Sequence, residues 1–319
     1  MGFKFNPGEA TSIDVARPTD LSIRPGILDA AKAAMAFINI PLMTLLRTFP
    51  ERPEELGGKR RLFDGNLLLL QSWLVASGRK TVNQKSFELM ETFSKYVSRV
   101  DDLLDSRDRP TAKELHAITM TDGSTQKIYA MFVDRVTDMR DLGLLTPQQS
   151  GQIFSIVDEF KHVAFMAIER FEKIRSPKVE DVLEFKEVTT GGDVMAITEM
   201  LNIAENIPAD RRETIRNAGT CFSMAAQLVD DMLDIKKDIR DNASNIAVAV
   251  LHRHPNELDA VTRSKSVSMN AYRRLAPEAH RELMGIYRRY MDMVPNVSDN
   301  AREFKVLSGI LLYGATLFL

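Results

Sequence analysis

Two stretches of the sequence repeat one chemical pattern. Asp101-Asp102-Leu103-Leu104-Asp105 and Asp230-Asp231-Met232-Leu233-Asp234 are both Asp-Asp-x-x-Asp pentads. The first and last aspartates of a pentad are four residues apart, so on a helix they share a face about one turn apart. Like charges at that spacing destabilise a helix, and a cation offsets the repulsion. Aspartate oxygens without nearby His or Cys suit a hard ion, Mg2+ more than Zn2+. Mg2+ is ordinarily held through one or two carboxylates together with waters and substrate phosphates. The pattern therefore predicts two acidic walls that hold a polyphosphate between metal ions. The competing reading is a solvated acidic face, the usual role of an Asp cluster on a helix. Two pentads of identical form weigh against it, because each follows apolar residues (Val97 and Val100; Leu228 and Val229) that set it beside buried surface.

The elements that must position these residues read as helices. Alternating β-branched runs flanked by Asn-Gly or Asp-Gly turns are missing, and helical spacing recurs instead. Residues 27–48 predict a buried helix bent at Pro41, and residues 49–59, with Gly57-Gly58, predict a loop. Helices are expected over 62–78 and 82–106, the second carrying the first pentad, with a break at 107–110. Thr111 with Glu114 reads as a capping box that opens another. Further helices are expected over 124–142, 147–174 and 179–188. Gly143 stops the first of these, and Thr146-Pro147 opens the next. Thr189-Thr190-Gly191-Gly192 reads as a break before a helix over 193–204. Asp210 is expected to cap a helix that runs through the second pentad to about Arg240. A polar loop at 241–245 and three or four helices punctuated by Pro255, Pro277 and Pro295 complete the chain.

The expected architecture is an extended arm over 1–25, then a single all-α domain over 26–319. That domain is a helical bundle with a central active-site cavity, since facing helices of a bundle build such sites from inward side chains. Bulk properties agree with a soluble globular chain. Of 319 residues 44% are hydrophobic and 27% charged, an ordinary balance. A net charge of -2 gives no basic surface for nucleic acid. Cys221 is the one cysteine, which excludes an intrachain disulfide and a Cys metal site and makes a reducing, cytoplasmic setting the expectation. The first 25 residues lack the apolar core of a signal peptide. The apolar stretch 306–319 is too short to span a bilayer. A buried helix is favoured there over a membrane-touching end, so no stable membrane insertion is expected.

Two Asp-rich pentads on an all-α chain of this length resemble the trans-isoprenyl diphosphate synthase (polyprenyl synthetase) superfamily. Gly57-Gly58-Lys59-Arg60-Arg61 is similar to the opening of that family's GGKRLRP motif, and Glu91 and Tyr96 match residues ahead of its first pentad. Arg107-Asp108-Arg109-Pro110-Thr111 resembles a shortened form of its RRGxPT element. Ala226-Gln227 and the second pentad, continuing to Asp238, resemble its FQxxDDxxDxxxD pattern. The match lies mainly in residues 57–240. Departures concern diphosphate contacts outside the metal cluster. Ser94 stands where the family often has His, the Lys-Thr pair between the pentads is replaced by Thr189-Thr190 with Lys186 one turn earlier, and no Lys occurs from Asp241 to Asn245.

The resemblance implies Mg2+, three ions, held by the two clusters, with Asp101, Asp105 and Asp230 as direct ligands. Asp102, Asp231 and Asp234 are second ligands or orienting groups. Arg107, Arg109 and Lys186 are candidates for diphosphate contacts, and Thr190 and Gln227 lie in the matching segments. Ionisation of an allylic prenyl diphosphate follows, in a dry apolar pocket. For what becomes of the cation, three readings stand. In chain elongation, isopentenyl diphosphate held by Lys59 and Arg60 attacks it, giving a short prenyl diphosphate of about fifteen to twenty carbons. In a terpene synthase, an internal double bond or water attacks, and no second diphosphate is needed. A non-catalytic subunit of the same fold is the reading outside catalysis, and a homodimer is implied. Lys59-Arg60-Arg61 also reads as a solvated basic turn. Tyr96 lies five residues before the pentad, a net turn of roughly 140° on the helix, beside and below the Asp face. It is a candidate floor for the prenyl tail, or else a core tyrosine.

Overall fold

The computed structural model describes residues 65–79, 82–104, 111–241, 243–265 and 267–293. The expected arm, the helix over 27–48, the glycine loop with Lys59 and Arg60, the segment with Asp105, Arg107 and Arg109, and the apolar C-terminal stretch lie outside these residues. Thirteen helices and no strand occur among the described residues. The chain has the all-α fold its periodicity predicts.

Helix α1 (Gly65–Ser77) leads into α2 (Gln84–Leu104). The Asn83 Oδ1 accepts the Lys85 backbone N–H at 2.8 Å and so satisfies a donor at the start of α2. Leu89, Met90, Phe93 and Tyr96 recur at three- and four-residue spacing and are buried. Helices α3 (Ala112–Thr121), α4 (Gly123–Asp141) and α5 (Pro147–Glu172) follow. The expected capping box at Thr111 and Glu114 is present, and Thr146 with Gln149 forms a second one at the start of α5. Gly143 stops α4 at a φ of 70°, a region that favours glycine.

Helix α6 (Val179–Val188) meets α7 (Thr190–Ala204) at Thr189 alone. The expected break over 189–192 is thus a one-residue joint, and Gly191 and Gly192 lie inside α7. Gly191 makes the close approach of the two. A Cβ on Gly191 would lie 3.2 Å from Thr220 Cγ2, and one on Gly192 would lie 3.5 Å from the Phe160 ring.

Helix α8 (Ala209–Leu233) carries the second pentad. Two expectations are corrected here. Pro208, not Asp210, precedes the helix, and Asp210 stands in its first turn, where a negative charge favours the helix dipole. The helix also ends at Leu233 rather than near Arg240, with Asp234 as a joint before α9 (Ile235–Asp241). The reason is a competing donor. The Asp231 carbonyl, which would accept from Ile235 in a continuing helix, accepts Asn245 Nδ2 at 2.8 Å. Helices α10 (Ile246–Leu251), α11 (Pro255–Arg263), α12 (Met269–Leu275) and α13 (Pro277–Met293) close the described chain.

The core has two main parts. One gathers Trp73, Phe93, Phe132, Ile153 and Met200 from α1, α2, α4, α5 and α7. The other gathers Met224, Leu228, Val250, Tyr272, Leu283 and Tyr287 around the second half of α8. Helices α7 and α8 pack side by side and join the two, with α2 and α5 against α7 and α13 against α8. Trp73 Nε1 donates to Asn202 Oδ1 at 3.0 Å and pins α1 to α7 within the first core.

Candidate active site

The first pentad sits on the last turn of α2, where Asp101 and Asp102 are exposed. An ion pair two residues earlier holds that turn in place. Arg99 Nη2 lies 3.2 Å from Asp122 Oδ1. Asp122 also caps α4, its Oδ2 accepting the Thr125 backbone N–H at 2.7 Å. Hydrogen bonds from Thr125 and Arg99 hold the Asp122 carboxyl down at about 2. The end of α2 is thereby tied to the joint between α3 and α4.

The second pentad puts neighbouring aspartates into opposite surroundings. Asp230 is exposed, and Asp231 is only 3% exposed. Asp231 Oδ2 accepts the Ile246 backbone N–H at 2.6 Å, and its Oδ1 accepts Gln227 Nε2 at 2.7 Å. Gln227 Oε1 accepts a longer bond from Thr190 Oγ1 at 3.5 Å. Burial pushes Asp231 up to about 6, against the opposing pull of Lys186, Gln227 and Ile246. Asp231 therefore fixes the start of α10 against α8, and Thr190 and Gln227 link that anchor to the start of α7. Asp234 is half-buried at the joint. Asp238 is half-buried too, its Oδ2 accepting Asn245 Nδ2 at 2.8 Å.

Lys186, half-buried in the last turn of α6, is the cation these groups share. Its charge acts on Asp231, on Asp238 and on Asp193. Asp193 stands in the first turn of α7, with Oδ1 enclosed and without a hydrogen-bond partner among the described residues. Burial, and then the negative charge of Asp101, push its carboxyl well above the usual range, against the Val194 backbone N–H and Lys186. Asp193 thus lies in the field of the first pentad and of Lys186, and Lys186 lies in the field of the second pentad. Sequence reasoning missed Asp193. Its signal was a lone acidic side chain in the first turn of a helix that is otherwise apolar on that side, directly after two glycines.

Tyr96 is buried on α2, its ring 5.5 Å from that of Tyr129 and 6.1 Å from that of Phe93. Burial, with the Tyr129 and Asp158 charges behind it, pushes its phenol up to about 12. Ser94, one turn from Val97 on the same helix, is buried with its Oγ unpaired among the described residues. Lys59, Arg60, Asp105, Arg107 and Arg109 fall outside the described residues, so the site is drawn from the others. Among the described residues, no three His, Cys, Asp or Glu side chains converge closely enough to hold an ion by themselves.

The terpene synthase family 2, C-terminal metal binding model matches residues 82–274. That span begins just before α2 and includes both pentads. No curated protein sequence matches the chain. Solved structures share its fold at low identity. Geranylgeranyl pyrophosphate synthetase from Pyrococcus horikoshii Ot3 is 14% identical with a TM-score of 0.56, over 89% of this chain and 97% of that one. Geranylgeranyl pyrophosphate synthetase from the archaeon Geoglobus acetivorans is 17% identical with a TM-score of 0.55, over 90% and 96%. A decaprenyl diphosphate synthase from Rhodobacter capsulatus is 15% identical with a TM-score of 0.51, over 89% and 97%. At these identities the likeness establishes the fold.

Proposed function

We propose that this chain, which belongs to the family described as terpene synthase family 2, C-terminal metal binding, ionises an allylic prenyl diphosphate between its two Asp pentads. The observation that carries this reading is the shared field of Lys186. One cation lies close enough to bias Asp193, itself biased by Asp101 of the first pentad, and Asp231 and Asp238 of the second. Asp101 on α2 and Asp230 on α8 are both accessible, and both offer only hard oxygen donors.

The donor set fits Mg2+. The acidic groups offer carboxylate oxygens alone, and their spread over several helices suits an ion that keeps waters and substrate phosphates in its shell. Divalent metal, when bound, neutralises the leaving diphosphate as a Lewis acid and template. Asp101 and Asp230, with Asp105, are the residues that would hold it, and Asp102 and Asp234 stand beside them. Asp231 acts by fixing α10 and the Gln227–Thr190 link. Lys186 supplies positive charge on the α6 side, where the diphosphate oxygens would be drawn. Thr190 offers a hydroxyl at the α7 start. Phe160 and Met224, which lie against Gly192 and Gly191 next to Thr190, would keep water from the cation.

The family model favours internal capture of the cation, giving a hydrocarbon or alcohol, as its terpene synthase description indicates. The second reading, elongation with isopentenyl diphosphate, is favoured by the three fold neighbours, all named as prenyl diphosphate synthases. One assay separates them. The full chain is incubated with Mg2+ and labelled geranyl, farnesyl or geranylgeranyl diphosphate, with and without isopentenyl diphosphate. A hydrocarbon or alcohol formed without the second substrate supports capture, and a longer diphosphate formed only with it supports elongation. No diphosphate release from any substrate sinks both.

A further inference from the structure

The last turn of α6 sends three consecutive side chains three ways, since neighbouring residues on a helix stand about 100° apart. Phe185 lies on one flank, buried, its ring stacked on that of Phe171 of α5 at a centroid distance of 4.4 Å. Glu187 lies on the other, where its Oε1 accepts the Tyr290 hydroxyl of α13 at 2.5 Å, across 103 positions of the chain. Lys186 stands between them, and its charge acts on Asp193, Asp231 and Asp238. Tyr290 is buried and its partner carboxyl half-buried. Burial pushes Glu187 above the usual carboxylate range, against the pull of the Tyr290 bond. Burial, and then the Glu187 charge, push the Cys221 thiol of α8 up to about 12, which sets the pair beside α8. A hydrogen bond to a carboxylate is shorter and roughly twice as strong as a neutral one. Thr189 donates its hydroxyl to the Phe185 carbonyl at 2.9 Å, but that bond lies inside the same turn and does not fix the turn against its neighbours.

We propose that Glu187 and Tyr290 are positioning residues for the diphosphate end of the site: their hydrogen bond, opposite the Phe185–Phe171 stack, sets the rotation of the last turn of α6 and so aims Lys186 at the acidic groups. This rests on the reading that Lys186 draws the diphosphate oxygens. The physical argument is one of leverage. A lysine carries its charge on a flexible four-carbon stem, which does not fix the ammonium by itself. The backbone beneath it must be held, and a helix end pinned on one flank can still pivot about it. The second flank comes from α13, which packs against α8, the helix of the second pentad. Tyr290 thus ties Lys186 to the frame that carries Asp230 and Asp231.

The test titrates the full chain, in Mg2+, with inorganic pyrophosphate by calorimetry. Tyr290→Phe keeps the buried ring and removes the hydroxyl, and is expected to weaken pyrophosphate binding about tenfold. Glu187→Gln keeps an oxygen that accepts the Tyr290 hydroxyl, and is expected to bind within about threefold of wild type. A double-mutant cycle with Lys186→Met then separates aiming from general support. Where the pair acts through Lys186, Tyr290→Phe weakens binding no further once the lysine is gone, whereas a merely structural role costs the same in both backgrounds. Should Tyr290→Phe melt early by circular dichroism, Glu187→Met breaks the same bond from α6 and is read in the same cycle. Wild-type affinity in Tyr290→Phe, or an equal loss with and without Lys186, overturns the proposal. Wild-type affinity in Lys186→Met removes its premise and overturns it too. Protein that gives the expected cycle yet releases no diphosphate from any prenyl diphosphate sinks the proposed function alone. Wild-type protein that binds no pyrophosphate with Mg2+ sinks both.

Discussion

At the scale of single residues, Asp230 and Asp231 separate two tasks within one dipeptide. Asp230 is exposed, and Asp231 turns inward to Ile246 and Gln227. Truncating Asp231 to Ala leaves the buried Ile246 N–H without its acceptor, a loss of about 1–3 kcal/mol. Urea unfolding should show that loss as a lowered midpoint with the slope unchanged. Asp230→Ala should lower the midpoint less than Asp231→Ala does and lose metal-dependent diphosphate release. Equal destabilisation by the two variants would contradict the assignment. The pentads themselves were legible in the sequence because their spacing is local. Which of their carboxylates turns inward was not, because that depends on Ile246, fifteen positions further along the chain.

At the scale of elements, the joint between α3 and α4 keeps the first pentad in place. Asp122 caps α4 and pairs with Arg99 two residues before Asp101. Asp122→Ala is expected to cost about 1 kcal/mol, as for other N-caps, and to lower the affinity for Mg2+ with diphosphate by loosening the end of α2. The pH dependence has a definite sign. The folded carboxyl titrates at about 2, below its ordinary 3.8. The stabilisation is therefore complete above the ordinary value and is lost as pH falls through the folded one. Unfolding midpoints of wild type and Asp122→Ala should differ at pH 6 and converge toward pH 2. A gap independent of pH would show that the carboxylate charge contributes nothing. The caps at Thr111 and Thr146 could be read from sequence because a capping box is a four-residue pattern. The end of α8 could not, because Asn245 takes the Asp231 carbonyl from outside the helix.

At the scale of the whole molecule, α7 and α8 join the two cores, and the charges of Lys186 and Asp101 both act on Asp193 of α7 while Lys186 also acts on Asp231 of α8. A ligand that bridges those helices should stabilise the entire fold. Mg2+ with inorganic pyrophosphate at about one hundred times its dissociation constant is expected to add about 2.7 kcal/mol, a rise of several degrees in Tm by differential scanning calorimetry. Mg2+ or pyrophosphate alone should give less, and no shift with both present would count against a bridged site. No helix among the described residues is long and apolar enough to cross a membrane. The sequence by itself determined the helices, most of their ends and the acidic pentads, because period, caps and motif spacing are properties of neighbouring residues. Only the tertiary structure decided that Gly191 and Gly192 lie within a helix, where they pack against Thr220 and Phe160, the former tightly. It alone set the enclosed Asp193 in the field of Asp101 and paired Glu187 with Tyr290. Those interactions join side chains far apart in the chain, and the packing of α2 on α7 and of α13 on α8 makes them.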